Sequence, residues 1–315
     1  MDERPSVFVT IRARLVAGAF IAHSSTALHL LNQQLPLFVP GPYPSFADPR
    51  FDAQRSAGHR RSTAASLFAA FLASSSHAAD VGEEPSVTPY RPSVSTPAAL
   101  SAPGWLELEL GAQHTHGRQQ SRRDSLPYTL KLAFSEDWGV RVGGDAWIRQ
   151  RDEAGDRLSG GGDTTVVLKR RFAVDDSSAF GVEAGASVPT ARSGLGSGRS
   201  DYSINGIYSA DLGRYHTDLN LVATRLGQVD PGVGRNQMLW AASLSTALND
   251  RWGVVGEFWG TRQRGAERST EFLAAASYNL SRSMTLDAGL SRSLRSQVPG
   301  WSVFTGLTVL LGRLF

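Results

Sequence analysis

The sequence predicts an all-β fold, a transmembrane antiparallel up-and-down β-barrel of about 12 strands. From residue 104 to the C-terminus, apolar residues recur at every second position, which is the period of a β-strand. Turn residues divide this region into segments of about ten residues, a length that spans a bilayer when strands are tilted. Long and short connections alternate between the segments, as they do in outer-membrane barrels with short periplasmic turns and long external loops.

The twelve segments follow one another in order along residues 104–315. In the first segment, Leu106, Leu108 and Leu110 alternate with Glu107 and Glu109. The apolar positions of the other eleven lie within 126–134, 140–148, 166–172, 180–188, 202–212, 219–221, 238–248, 252–258, 272–280, 284–290 and 301–311. The predicted connections are 117–125, 135–137, 151–161, 173–179, 189–200, 213–214, 227–236, 249–250, 263–267, 281–283 and 295–299.

A soluble sandwich or up-and-down barrel would also show alternation, with its apolar face turned inward. Strict alternation of long and short connections favours the membrane barrel, whose closed wall leaves no strand edge unpaired in lipid. Aromatic residues near strand ends suit two interfacial girdles, and we assign seven to them: Trp105, Trp138, Tyr208, Tyr215, Trp252, Tyr278 and Trp301. Phe315 ends the last alternating segment, so we predict a C-terminal signal for the barrel assembly machinery there.

Composition divides the chain at residue 79. Residues 1–79 hold seven of the 32 basic residues and four of the 29 acidic ones, so the remaining chain has no net charge. Arg60 and Arg61, a short apolar stretch and the small residues before 80 predict a signal peptide at about 56–79. Residues 1–55 are then either a disordered extension or lie upstream of the true start codon. A short buried helix is the alternative for the apolar stretch.

Residues 80–103 carry five prolines and little periodicity, which predicts a flexible periplasmic linker. They are too few to form a helical plug domain. The sequence therefore divides into the leader 1–79, the linker 80–103 and an outer-membrane barrel over 104–315.

Inward positions of the predicted strands carry charges of both signs. Seven lie midway along the strands and are candidates for solute selectivity: Glu109, Lys131, Asp145, Lys169, Glu183, Glu257 and Asp287. Such a lining can hold a selective wet passage or close into a plug of ion pairs. We expect passive passage of a small organic solute through the outer membrane, and a closed structural or partner-binding barrel is the alternative.

The sequence gives less support to the hypothesis that the protein is an enzyme. His114 and His116 lie two apart at the outer end of the first segment, and His216 has serine and aspartate neighbours near the periplasm. An outer-membrane lipid hydrolase needs a serine–histidine pair on the lipid face, which strand parity does not supply. No catalytic set is matched, so we expect no enzyme activity and no cofactor. The absence of cysteine excludes a thiolate metal site, and we expect no metal site of another kind. The neutral mature chain argues against a nucleic-acid partner.

One run of motifs carries a family resemblance. Residues 162–172 (GDTTVVLKRRF) are followed by 187–190 (SVPT), 196–202 (GSGRSDY), 212–216 (LGRYH) and 218–220 (DLN). This order resembles the proteobacterial family of meta-pathway phenol-degradation outer-membrane proteins over roughly residues 105–315. The resemblance implies an outer-membrane transporter of small, often hydrophobic compounds. Pro189-Thr190-Ala191 stands where that family has Pro-Thr-Gly.

Overall fold

The protein's computed structural model describes residues 85–117, 121–152, 155–295 and 300–315. The predicted leader, 1–79, with its signal peptide, lies outside these residues and stays a prediction. Over the described ranges the chain forms strands and loops, and no helix there is long and apolar enough to cross a membrane.

The described residues contain 13 strands, twelve of which form the wall of a barrel. In chain order these strands are β1 (Trp105–His116), β2 (Arg122–Ala133), β3 (Trp138–Arg151), β4 (Arg157–Gly160), β5 (Thr164–Ala173), β6 (Ser178–Val188), β7 (Asp201–Leu212), β8 (Tyr215–Arg225), β9 (Asn236–Ala247), β10 (Trp252–Gln263), β11 (Ser269–Ser281), β12 (Met284–Arg295) and β13 (Trp301–Arg313). The predicted number of wall strands is confirmed. The additional strand, β4, lies in the predicted connection 151–161.

Antiparallel pairing closes the barrel. Each wall strand pairs with its neighbours in sequence, β1 pairs with β13, and β2 pairs with both β1 and β3. β3 pairs with β5 along its first half and with β4 at residues 148–151. Closure gives the wall-strand backbone hydrogen-bond partners within the sheet, which a lipid environment requires.

Alternation sorts the side chains between lumen and lipid. On β1, Glu107 and Glu109 are buried in the lumen, whereas Leu110 on the other face is 43% exposed. Large apolar side chains on the outer face are exposed all around the wall, including Leu168, Ile204 and Leu221. A barrel that buries its charges and exposes its leucines has the polarity expected in a membrane, the inverse of a soluble sandwich.

The two ends of the barrel differ in their connections. Short turns at 134–137, 174–177, 213–214, 248–251 and 282–283 lie at one end, and the longer connections lie at the other. Gly104 and the C-terminal residues share the short-turn end, where the Leu314 amide donates to the Gly104 carbonyl at 2.7 Å. This is the periplasmic end by the rule for outer-membrane barrels.

The seven predicted girdle residues do not form two girdles. Trp105, Trp138, Tyr208, Tyr215, Trp252 and Tyr278 lie near the periplasmic end, and Trp301 alone lies at the extracellular end. The expectation is wrong because neighbouring strands run in opposite directions, so the start of one and the end of the next share one side. At the extracellular side, Trp301 is joined by exposed Trp147, Tyr202 and Trp240, which the sequence reasoning left out.

Residues 85–103 lie inside the barrel, and we refer to them as the luminal segment. Val94 and Ser95 are 2% and 1% exposed, and Ala98 is fully buried. A flexible periplasmic linker is therefore the wrong description of these residues. Their prolines keep the segment extended and remove backbone donors, and six of the remaining amides, between Thr88 and Ala98, donate to side chains of the lumen wall.

Candidate functional site

The luminal segment enters and leaves the barrel at its periplasmic end. The Val87 amide donates to the Arg282 carbonyl at 2.9 Å in the β11–β12 turn. The Gly104 amide donates to Ala133, the last residue of β2, at 2.8 Å. Between these two points the segment rises to Val94 in the barrel interior and returns.

Three wall carboxylates accept backbone amides of the segment. Glu107 accepts from Thr88 at 3.0 Å, and Glu109 accepts from Tyr90 at 2.7 Å. These two acids share the inner face of β1 because they lie two residues apart. At the far point of the segment, Glu257 on β10 accepts from Val94 at 2.7 Å and from Ser95 at 2.5 Å.

The Glu257 carboxylate is thus buried but keeps hydrogen-bond donors at both oxygens. Its side chain is fully buried, and charge-assisted hydrogen bonds from two successive amides replace the water it has lost. No described cation forms an ion pair with it. The carboxylate is therefore satisfied by the luminal segment, and removal of the segment would leave its charge uncompensated or hydrated.

Two wall lysines also hold the segment. Lys131 donates to the Thr88 carbonyl at 2.6 Å and pairs with Glu107 and Glu109, each at 2.6 Å. Lys169 donates to the Tyr90 hydroxyl at 3.0 Å, and it also donates to the carbonyls of Pro97 and Ala99.

The ring of Tyr90 lies between these two lysines. The Lys131 Nζ is 4.0 Å from the ring centroid and the Lys169 Nζ is 4.3 Å from it, so both ammonium groups form cation–π contacts. The Tyr90 hydroxyl also donates to the Ala99 carbonyl at 2.7 Å, which joins the two arms of the segment. Tyr90 is therefore a central anchor of the segment.

Arg91 forms the ion pair between segment and wall. Its guanidinium donates to both oxygens of Asp287 on β12, at 3.1 and 3.0 Å, and both side chains are at most 4% exposed. Two wall glycines make room for it: a Cβ at Gly111 would lie 2.6 Å from the guanidinium, and one at Gly306 would lie 2.3 Å from it. The wall is shaped for this side chain.

An amide cluster holds the tip on its other side. The Thr96 amide donates to Asn220 Oδ1 at 3.0 Å, and Asn220 Nδ2 returns a bond to the Thr96 carbonyl at 2.9 Å. Glu183 accepts from Asn205 at 3.0 Å and pairs with Arg141 at 3.0 Å. The Thr96 hydroxyl lies 3.4 Å from both Glu183 oxygens.

Six of the seven predicted selectivity residues thus contact the luminal segment: Glu109, Lys131, Lys169, Glu183, Glu257 and Asp287. Asp145 does not. It pairs with Arg123 of β2 at 2.9 Å, within the wall and nearer the extracellular end. The alternation of the strands predicts the inward direction of all seven, but not the segment that occupies the space between them.

Apolar residues line the lumen on the extracellular side of the segment tip. Val94 packs there with Val222, Leu239, Ala241, Trp259, Leu273 and Phe304. Trp259 is 1% exposed, and its Nε1 has no hydrogen-bond partner among the described residues. An apolar patch therefore lies in the interior above the charged residues that contact the segment.

A cavity of about 770 Å³ lies between the segment and the periplasmic mouth. Pro89 and Pro92 of the segment form part of its lining, and His216 faces it from β8. Both ring nitrogens of His216 contact carboxylates: Nδ1 lies 2.6 Å from Asp211 and Nε2 lies 3.2 Å from Asp218. A histidine so engaged is poorly placed to take a proton from a substrate.

The described part of the chain offers no further candidate for a metal site or a catalytic site. It contains no group of three or more histidine, aspartate or glutamate side chains that could hold a metal. His114 lies 2.7 Å from Asp124 on the outer face, and it packs against Trp301 rather than against a serine.

Sequence reasoning missed the residues of the segment itself, chiefly Tyr90 and Arg91. The signal that could have found them lies in the wall. Lys131 is the one wall cation that pairs with both Glu107 and Glu109 in the described residues, and Glu257 has none, so inward acids in excess of inward cations indicate a further hydrogen-bond donor in the lumen.

Several solved structures are similar to this chain. An outer-membrane channel from Pseudomonas putida F1 is similar with a TM-score of 0.53 and 13% identity, over 68% of this chain and 98% of that one. The NanC porin gives a TM-score of 0.48 at 8% identity, over 64% of this chain and 98% of that one. The CymD monoaromatic hydrocarbon channel gives 0.46 at 10% identity, over 68% and 90%. No protein-family model and no curated protein matches the chain.

The shared architecture with the first of these structures is that of a bacterial outer-membrane β-barrel. The chain is accordingly an all-β outer-membrane barrel with a closed wall of twelve strands. At 13% identity the likeness extends to the fold and no further.

Proposed function

We propose that the protein is an outer-membrane channel for passive uptake of a small organic solute, aromatic and hydrophobic solutes included. The luminal segment acts in it as a plug that has to shift before solute passes. Under this proposal the protein is not an enzyme and needs no cofactor. Its partners are the outer-membrane lipid, the solute, and the barrel assembly machinery that recognises the strand ending at Phe315.

One observation carries the proposal: the plug is attached without being part of the sheet. Between residues 88 and 101, no backbone-to-backbone hydrogen bond joins it to the described wall strands. Its contacts run through side chains such as Asp287, Glu257 and Lys131. The segment can therefore leave its place while every strand ladder of the barrel stays paired.

The lumen lining that remains after the plug is displaced suits a solute with an apolar body and a polar group. Trp259, Leu273 and Phe304 offer an apolar surface in the upper half. Below them, the six charged residues that hold the plug would face the passage and are the proposed selectivity residues, with Asp145 above them at the extracellular side. The family resemblance to phenol-degradation outer-membrane proteins points the same way and stays a prediction.

A closed structural barrel is the second candidate, and the buried Arg91–Asp287 pair favours it. If the Arg91–Asp287 ion pair never breaks, the segment stays in the lumen and only the loops can interact with a partner.

A conductance measurement distinguishes the channel from the closed barrel. Refolded, heat-modifiable protein should give discrete conductance steps in planar bilayers, and liposomes that contain it should take up a small aromatic solute faster than a sugar of equal size. A correctly folded barrel with neither conductance nor uptake would refute the channel.

A further inference from the structure

Cationic side chains lie side by side on the outer face of the wall at the extracellular end. Arg122 on β2 is the register partner of Arg151 on β3. Arg151 is in turn the partner of Arg157 on β4. Residues directly opposite each other on paired strands share a face and have Cβ atoms about 5 Å apart. We refer to these three arginines as the arginine row.

The faces of the neighbouring residues fix the direction of the row. Arg123 and Gln150, one position away, are 1% and 3% exposed in the lumen. Arg122, Arg151 and Arg157 are exposed, so they point outward, away from the barrel axis.

The same register level continues across the other side of β2. His116 on β1 is the partner of both Arg122 and Trp301, and Trp301 is the partner of Arg292 on β12. The Trp301 ring stacks on His116 with centroids 5.8 Å apart. Arg292 is exposed and adds a fourth guanidinium to this level.

The arginines of the row have no ion-pair partner among the described residues. Neither Arg122, Arg151 nor Arg157 forms an ion pair or a side-chain hydrogen bond with another described residue. The nearest outward acid by register, Asp124, is bonded to His114. Like charges directly opposite one another in a sheet are destabilising, so this arrangement lowers stability unless an anion binds it.

The height of the row identifies its surroundings. A short way down the same face, Leu126, Trp147 and Val303 are 44%, 39% and 45% exposed. These apolar side chains belong to the lipid-facing band, and the row lies two to four residues above them, about 10 Å along the tilted strands. It is therefore level with the headgroups of the outer leaflet.

We propose that the arginine row binds the phosphate groups of lipopolysaccharide in the outer leaflet. A guanidinium matches phosphate with two parallel N–H donors, and adjacent guanidiniums on a rigid sheet can hold one phosphate between them. Arg292 and the Trp301–His116 stack flank the site and contact the sugar and acyl parts of the same lipid. This binding is independent of solute passage through the lumen.

A matched pair of double variants tests the proposal. Arg122→Gln/Arg151→Gln removes two charges from the row. Arg225→Gln/Arg262→Gln removes two exposed outward arginines from β8 and β10, on another part of the wall. Detergent-purified full-length proteins are titrated with bis-phosphorylated lipid A, and the midpoint temperature of the heat-modifiable gel shift is measured.

Lipid A should raise the midpoint of the wild type and of the β8–β10 variant, and its affinity for the row variant should fall on the order of tenfold. Without lipid, the row variant should be at least as heat-stable as the wild type, because like-charge repulsion has been removed. Equal affinities in all three proteins would overturn the proposal. An equal shift with dephosphorylated lipid A would also overturn the proposal, because binding would then depend on the acyl chains and not on the phosphates. An equal shift with inorganic phosphate would reassign the row to free phosphate.

Discussion

Replacement of Asp287 by asparagine should release the plug. The Arg91–Asp287 pair is at most 4% exposed, and its guanidinium donates to both carboxylate oxygens. Loss of one partner of such a buried pair costs about 3–5 kcal/mol, because the other charge is left uncompensated. In most proteins that cost lowers the stability of the fold. Here Arg91 belongs to a segment outside the sheet, so the cost is relieved when the segment leaves.

The magnitude follows from the lower end of that range. About 3 kcal/mol in favour of the displaced state raises the ratio of displaced to seated plug roughly a hundredfold. Open time in planar bilayers measures this ratio. Thiol labelling gives a second readout, because the chain has no cysteine of its own. Ser95 is 1% exposed when the plug is seated. A Ser95→Cys variant should therefore react faster with a membrane-impermeant maleimide when Asp287→Asn is also present.

Asp145→Asn is the control. Asp145 pairs with Arg123 at 2.9 Å, and both residues belong to the wall, so displacement of the plug cannot relieve the loss. This variant should lower the temperature of the heat-modifiable transition without a gain in open time or labelling rate. If Asp287→Asn conducts and labels like the wild type, or like Asp145→Asn, the reasoning is refuted.

Three further predictions concern the plug and one turn. Gly306→Ala should also raise open time, because its Cβ would lie 2.3 Å from the Arg91 guanidinium, whereas Gly256→Ala, with nothing within 4 Å, should leave conductance unchanged. Glu257→Gln should give a smaller rise than Asp287→Asn, since an amide oxygen can keep one of the two accepted amides, at a loss of about 1–2 kcal/mol. Backbone and hydroxyl donors of Ser177 hold the pKa of Asp175 in the β5–β6 turn below its ordinary value. Its stabilisation is thus complete above the unfolded pKa and lost as pH falls through the lowered folded pKa, so heat-modifiability of the wild type and Asp175→Asn should converge as pH falls below the ordinary aspartate pKa of about 4.

The wall of the barrel could be predicted from the sequence because it depends on local rules. Period-two alternation places Glu109 inward and Leu110 outward whatever else the chain does. Strand direction then determines which end of the barrel each residue occupies, and antiparallel neighbours bring the start of one strand and the end of the next to the same side. Trp138 and Tyr208 lie at opposite ends of their own strands and at the same end of the barrel.

The occupied lumen could not be predicted in the same way. Residues 85–103 lack periodicity and are rich in proline, and such composition is typical of linkers. Their place is determined by long-range contacts, such as Arg91 with Asp287 and Val94 with Glu257. Those partners are separated by 196 and 163 residues in the chain, and no local pattern relates them.

A reversible lock on the plug tests the central claim most directly. Ala98 of the plug packs with Ala179 and Ile207 of the wall, and the chain has no cysteine of its own. The Ala98→Cys/Ala179→Cys variant, cross-linked with a short thiol-reactive reagent that can be cleaved by reduction, is measured in planar bilayers before and after reduction. The single variants serve as controls. A mobile plug predicts silence in the cross-linked state and conductance steps that return on reduction. Identical traces in both states would contradict the account, because conductance would then not depend on movement of residues 85–103.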